Sequence, residues 1–374
     1  MIDALRPYVF LGVAVIVATL SFLVIGPFNM NIDGDIYVAQ VEQFESGQVT
    51  NVPYNVAQRA FKPAVGVLGS LLVPFFTPTE AIQFLNLLIL FALPFVAFKF
   101  FCECGFTEKE ATWGAVWLMT GYPVLKYGLA ISTDMGSWLF ALASAYFVLK
   151  GLRTDSYRTI LLASLLGFIG GTIKEPGVFG LFFGAIYIAF TYAQRPIQKT
   201  ITLLSVLALP AFICETILFS VLIYAGFPTF LDWYSVVTVE KFAAEHYQLL
   251  QFAGVLASTF SILLVYALIG FISVLYRRVR LYDTTHAFTA AVLLTSLPIL
   301  LWKIFISRVL FIQFIFFIPM ALLGVRTLNE YVGSRKSVLK LQTVLYVLPI
   351  ICSVGLFLLA GRGSLFDLFT RIFG

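Results

Sequence analysis

The sequence predicts an all-α protein that crosses a membrane many times, and three observations predict it. Hydrophobic residues make up 60% of the 374 positions and charged residues only 11%, a balance foreign to water-soluble domains. Mean hydropathy is +0.96. Apolar stretches recur along the whole chain at lengths near the ~20 residues that carry a helix across the hydrocarbon core. The alternation at ~10-residue spacing that marks a transmembrane barrel is absent.

The pattern gives eleven spans, at roughly 8–28, 80–101, 111–130, 134–151, 159–173, 177–193, 200–225, 251–276, 286–304, 308–325 and 340–360. The first, Tyr8 to Phe28, is too long for a signal peptide and lacks a small-residue cleavage site, so it reads as a retained helix. Residues 29–79 form a first outer-face loop. Within it the 14 apolar residues from Pro63 to Phe76 are too few for a span and read as a half-inserted helix. A second outer-face loop covers 226–251, and 361–374 is a short outer-face tail, so that 1–360 forms one transmembrane domain.

Orientation follows from Lys and Arg. With the N-terminus in the cytoplasm, 15 of the 24 basic residues fall inside, among them the clusters YRRVR and GSRKSVLK. Reading 63–76 as a full span would invert every later loop and break the rule. The absence of Asn-x-Ser/Thr favours a prokaryotic plasma membrane. The formal charge of +5 is scattered between spans, which argues against nucleic acid. The four cysteines show neither metal-ligand spacing nor a disulfide framework. No phosphate loop, dinucleotide fingerprint, nucleophile elbow or zinc-protease motif occurs.

What remains are charges at membrane depth, which are costly, at ~2.5–3.5 kcal/mol on insertion scales, and tend to mark function. Asp33 and Asp35 stand at the exit of the first span. Lys62 precedes Pro63 at the start of the half-inserted piece. Lys174 and Glu175, in GGTIKEPG, lie where one helix ends and the next begins. A lysine beside a helix N-terminus suits an anion, although a lysine snorkelling to the interface gives the same pattern. Arg308 stands at the mouth of an apolar span, suited to phosphate through paired donors or to interfacial anchoring. Glu215 lies deep in its span, and His246 falls on an amphipathic stretch of the second outer loop.

The order Asp33-GDI-Tyr37, then Gly47, then Lys62-Pro63 before an apolar helix resembles the GT-C membrane glycosyltransferases. Within them it is nearest the protein O-mannosyltransferase and lipid A aminoarabinose transferase branch. Thr133-Asp134, Ile173-Lys174-Glu175-Pro176 and Arg308 followed by Pro319 extend the likeness in order, over residues 5–330. Ala64 replaces a proline common in that family, and its large C-terminal soluble domain is missing.

The resemblance implies a GT-C-like bundle and a polyprenyl-phosphate-linked sugar donor, with transfer to a hydroxyl of a glycan, lipid or protein at the outer face. It implies Asp33 as general base and Lys62, Lys174 and Arg308 as holders of the donor phosphate. Asp35, Tyr37, Asp134 and Glu175 are supporting residues. An extended Asp33-x-Asp35 would also present two hard ligands on one face for a divalent cation, Mg or Mn. The alternative function is a flippase for a lipid-linked glycan, which would use the same cations without breaking a bond.

Overall fold

The structure, a computed structural model, describes residues 2–27, 33–47, 62–191, 195–227, 249–276, 285–300, 307–332 and 338–361. Among the described residues the regular elements are all helical: α1 (Ile2–Ile25), α2 (Gly34–Ser46), α3 (Pro63–Ser70), α4 (Pro78–Glu103), α5 (Glu108–Thr120), α6 (Tyr122–Tyr127), α7 (Asp134–Arg153) and α8 (Tyr157–Ile173). A 3-10 turn, Glu175–Val178, leads into α9 (Phe179–Phe190), α10 (Ile197–Tyr224), α11 (Leu249–Phe260), α12 (Ile262–Leu275), α13 (Thr285–Leu300), α14 (Ser307–Val332) and α15 (Val338–Ala360).

Every expected span coincides with helix, but not all of them are single helices. Among the described residues five helices are long and apolar enough to cross a membrane by length and composition, α1, α4, α7, α10 and α15. Four other spans coincide with shorter apolar helices, and that at 308–325 with the 26-residue α14. Two are broken. The span at 111–130 splits at Gly121, whose backbone is extended (φ −61°, ψ 141°), because Pro123 opens a new helix with no N–H to give back. The span at 251–276 splits at Ser261, which adopts φ 46°. The half-inserted piece is an eight-residue helix, α3, followed by turns to Phe76, with Leu71 and Phe75 exposed.

Local sequence explains the helix starts. Thr77 with Glu80 and Thr107 with Glu110 form capping boxes that satisfy the first amides of α4 and α5. Gly47, in the left-handed region at φ 64°, ends α2. α7 is the hub, packed on α4, α8, α9 and the 3-10 turn, and its Trp138 and Leu142 are fully buried. The main core runs from α1 to α15 and includes Phe100 and Phe316 packed on Phe183 from two sides.

Four ion pairs tie the helices at the end assigned to the cytoplasm by the charge count. They are Arg6–Glu108, Arg153–Glu103, Lys199–Asp155 and Arg326–Glu110. The last is bidentate, at 2.9 and 2.7 Å, and bridges α14 to the cap of α5. Burial pushes the Glu110 carboxyl up, but the bonds from Arg326 and Thr107 outweigh it and hold it below its ordinary value.

A group with a depressed folded value stabilises above the unfolded carboxylate range, and that contribution disappears as pH falls through the folded value. Glu110→Gln is therefore expected to cost about 2 kcal/mol at neutral pH, somewhat less than a fully buried pair. The difference from wild type should close below about pH 4. Thermal unfolding at both pH values checks this; an equal gap at both would mean the charge is irrelevant.

Candidate functional site

The end opposite those ion pairs gathers most of the residues singled out in the sequence, and α2 is what gathers them. Asp33 occupies its N-cap position, and its carbonyl accepts from Tyr37 N–H at 3.3 Å. Positions 37, 40 and 41 then fall on one helix face at i+4, i+7 and i+8 from Asp33, and all three are buried. That face lies against α3, where Gly66 and Gly69 permit contact: a Cβ on either would meet Phe44 or Val41 at 2.5 Å. Gln40 Nε2 donates to the Lys62 carbonyl at 3.0 Å, which fixes the residue that opens α3. Lys62 is itself buried.

Tyr37 forms a small core with Val41, Val65, Ile82, Ile131 and Ile173. Immediately after Ile173 comes Lys174, whose ammonium lies 5.9 Å from the Tyr37 ring centroid, within cation–π range. Lys174 caps α8 in extended conformation (φ −163°) before the 3-10 turn. The turn is tight because Gly177 sits directly on Gly170, where a Cβ would lie 2.1 Å from the Gly170 carbonyl.

Lys174 does not stand as a lone cation over a helix N-terminus. Its Nζ is 2.8 Å from Asp134 Oδ1, with side-chain exposures of 12% and 4%. Asp134 opens α7, where its charge also complements the helix dipole. A buried ammonium without a counter-ion would be strongly destabilising, and Asp134 supplies that counter-ion.

The two hydroxyls just before Asp134, on Ser132 and Thr133, are buried and have no hydrogen-bond partner. Glu175, next to Lys174, is half-buried at the start of the 3-10 turn. The Lys62 ammonium acts electrostatically on the Glu215 carboxyl of α10.

The Asp33–Asp35 segment departs from expectation. It is the start of a helix and not an extended strand, because the residues after Asp33 place apolar side chains at helical period against α3. Two residues apart on a helix are turned about 200° from each other. Asp35 is exposed while Asp33 is partly buried, so the two present no shared chelating face. Among the described residues no cluster of three or more His, Cys, Asp or Glu could hold a metal ion. Arg308 is the second residue of α14, but its side chain lies outside the described residues, as do His246 and most of 226–251.

Sequence reasoning missed Asn86. It sits in the apolar run LNLLILFALP of α4, is 3% exposed, and donates to the carbonyls of Ala130 and Ser132 at 2.8 and 2.9 Å. An amide inside a membrane helix is itself the signal that could have found it.

No protein-family model matches the chain, and no curated protein matches it. Among solved structures it is similar to the crystal structure of the Archaeoglobus fulgidus oligosaccharyltransferase tethered by a disulfide bond to an acceptor peptide containing the NVT sequon. The TM-score is 0.60 at 11% identity, over 97% of this chain and 56% of that one. The chain thus spans little more than half the length of that enzyme. The likeness does not reach the mannosyltransferase and aminoarabinose branch suggested by the motifs; it is one of fold alone, shared with that membrane enzyme.

Proposed function

We propose that the chain is a membrane glycosyltransferase that takes a sugar from a polyprenyl-phosphate-linked donor and passes it to a hydroxyl on a glycan, lipid or protein. The observation that carries this reading is the Lys174–Asp134 pair beside Tyr37, which follows Asp33 by one helical turn. An apolar cavity of about 290 Å³ lies between α3, α4, α7 and the end of α8, with Asn86 and Thr133 as polar lining residues and Ile173, the neighbour of Lys174, in its wall. Leu68 and Leu88 line it and are exposed, so its mouth faces where lipid would be. A buried cation one residue beyond the wall of an apolar, lipid-facing cavity suits an anion that carries an apolar chain.

In this reading the donor phosphate competes with Asp134 for Lys174, and Lys62 and Arg308 add charge as the leaving phosphate develops it. Asp33 takes the proton of the attacking hydroxyl on the opposite face of the sugar. Tyr37 orients Lys174, Glu175 supports its turn, and the unpartnered Ser132 and Thr133 hydroxyls are available to the bound head group. The site would face outward across a prokaryotic plasma membrane, as the Lys and Arg count favours. The flippase alternative relies on charge spread through the bundle, and Glu215, its best candidate, falls within reach of Lys62.

Purified protein in lipid, offered labelled polyprenyl-phosphate sugars, is expected to release free polyprenyl phosphate. Lys174→Met should reduce that release about 10²–10³-fold, the usual effect of losing one transition-state donor. Because the single change strands the Asp134 carboxylate, the double variant Lys174→Met with Asp134→Asn serves as the folded control. Tight donor binding without release, even with cell-envelope extract as acceptor, would instead favour the flippase.

A further inference from the structure

Asn86 lies on α4 about 12 Å along the axis from Pro78, at a depth where a polar side chain is costly unless satisfied. It is satisfied by backbone alone: its two N–H groups reach the carbonyls of Ala130 and Ser132. Those carbonyls belong to the non-helical segment between α6 and α7, which is buried from Ala130 to Thr133. Non-helical backbone at membrane depth needs internal partners, because lipid offers none.

The two clamped carbonyls straddle Ile131, which is fully buried in the Tyr37 core. They also end two residues before Asp134, the partner of Lys174. One amide thereby fixes the height of Asp134 on α7 and seats Ile131 under Tyr37. α4 has no other polar side chain tied to this segment among the described residues.

We propose that Asn86 is a positioning residue for the transfer reaction: by holding the carbonyls of Ala130 and Ser132 it sets where Asp134 holds Lys174 before the donor phosphate arrives. The inference rests on the reading of Lys174 as a phosphate-binding group. Asn86→Leu removes both donors while keeping the shape of an apolar helix. Asn86→Asp, neutral in so apolar a setting, keeps one.

Two readouts separate position from mere stability. Steady-state kinetics should show kcat lowered about 10²-fold in Asn86→Leu, as expected for a misplacement of about 1 Å. Asn86→Asp should fall between it and wild type. Independently of turnover, reductive ¹³C-methylation should give Lys174 its own resonance in wild type, assigned by its loss in Lys174→Gln. That resonance should move toward the exposed lysines in Asn86→Leu.

If Asn86→Leu does not fold, Asn86→Asp carries both readouts. An unmoved Lys174 resonance, or a kcat within twofold of wild type in a folded variant, overturns the proposal. A wild type that shows the separate resonance but no turnover refutes the transferase reading and leaves the positioning intact.

Discussion

Asp33→Asn is expected to lower product formation about 10³-fold while donor binding stays at the wild-type value. General-base catalysis is worth about 10²–10⁴-fold, and an amide of the same shape has no lone pair basic enough to take the proton. Asp33 makes no side-chain capping bond to α2, and Asn is as acceptable at an N-cap as Asp.

The informative companion is Asp35→Asn. Asp35 is exposed on another side of the helix, so its loss should change turnover by less than about threefold. If Asp35→Asn is as damaging as Asp33→Asn, and added Mg or Mn rescues either, the two carboxylates act together on a divalent cation and the single-base assignment is wrong. If Asp33→Asn turns over normally, the proton goes elsewhere and Asp33 is only a loop carboxylate.

Much of this arrangement was legible in the sequence because hydropathy is a one-dimensional signal. All eleven expected spans coincide with helix, although only five of those helices are shown to be long and apolar enough to cross. The stretch 63–76 is too short for a span and forms the eight-residue α3 followed by turns, and GGTIKEPG announces a helix end, a charge and a restart. The break at Ser261 was not legible, since neither glycine nor proline marks it.

The pairing of Lys174 with Asp134 was not legible either. The residues were both flagged, but 40 positions separate them and only the packing of α7 on α8 brings them to 2.8 Å. The same holds for Arg326 and Glu110, 216 positions apart. The start of α2 is helical where a shared Asp33–Asp35 face needs an extended segment, and the period of Asp33, Tyr37, Gln40 and Val41 carries that signal. Asn86 was passed over because a single amide barely changes the hydropathy of a 26-residue helix.

The largest combined effect on fold and function should come from Gly177→Ala. Several glycines among the described residues bring backbone onto backbone, and two of these contacts differ in where they act. At the first, a Cβ on Gly177 would lie 2.1 Å from the carbonyl carbon and oxygen of Gly170. At the second, where α12 crosses α14, a Cβ on Gly324 would lie 1.9 Å from the Tyr266 carbonyl oxygen. Neither neighbour is a flexible side chain, so the only relief is to move helices apart. Overpacking of this kind typically costs about 1–3 kcal/mol and sometimes more.

At Gly324 the separation loosens a close helix crossing that small residues make possible, far along the chain from Lys174. Gly324→Ala should therefore melt earlier yet keep kcat in whatever fraction remains folded. At Gly177 the separation opens the turn that carries Lys174 and Glu175, so the ammonium leaves both Asp134 and Tyr37. Gly177→Ala should lose stability by a similar amount and also lose turnover about 10²-fold per folded molecule. Unfolding curves and activity normalised to the folded fraction decide between them. Equal specific activity in the two variants would mean that the turn relaxes without moving Lys174, and that the Gly170–Gly177 contact matters to packing alone.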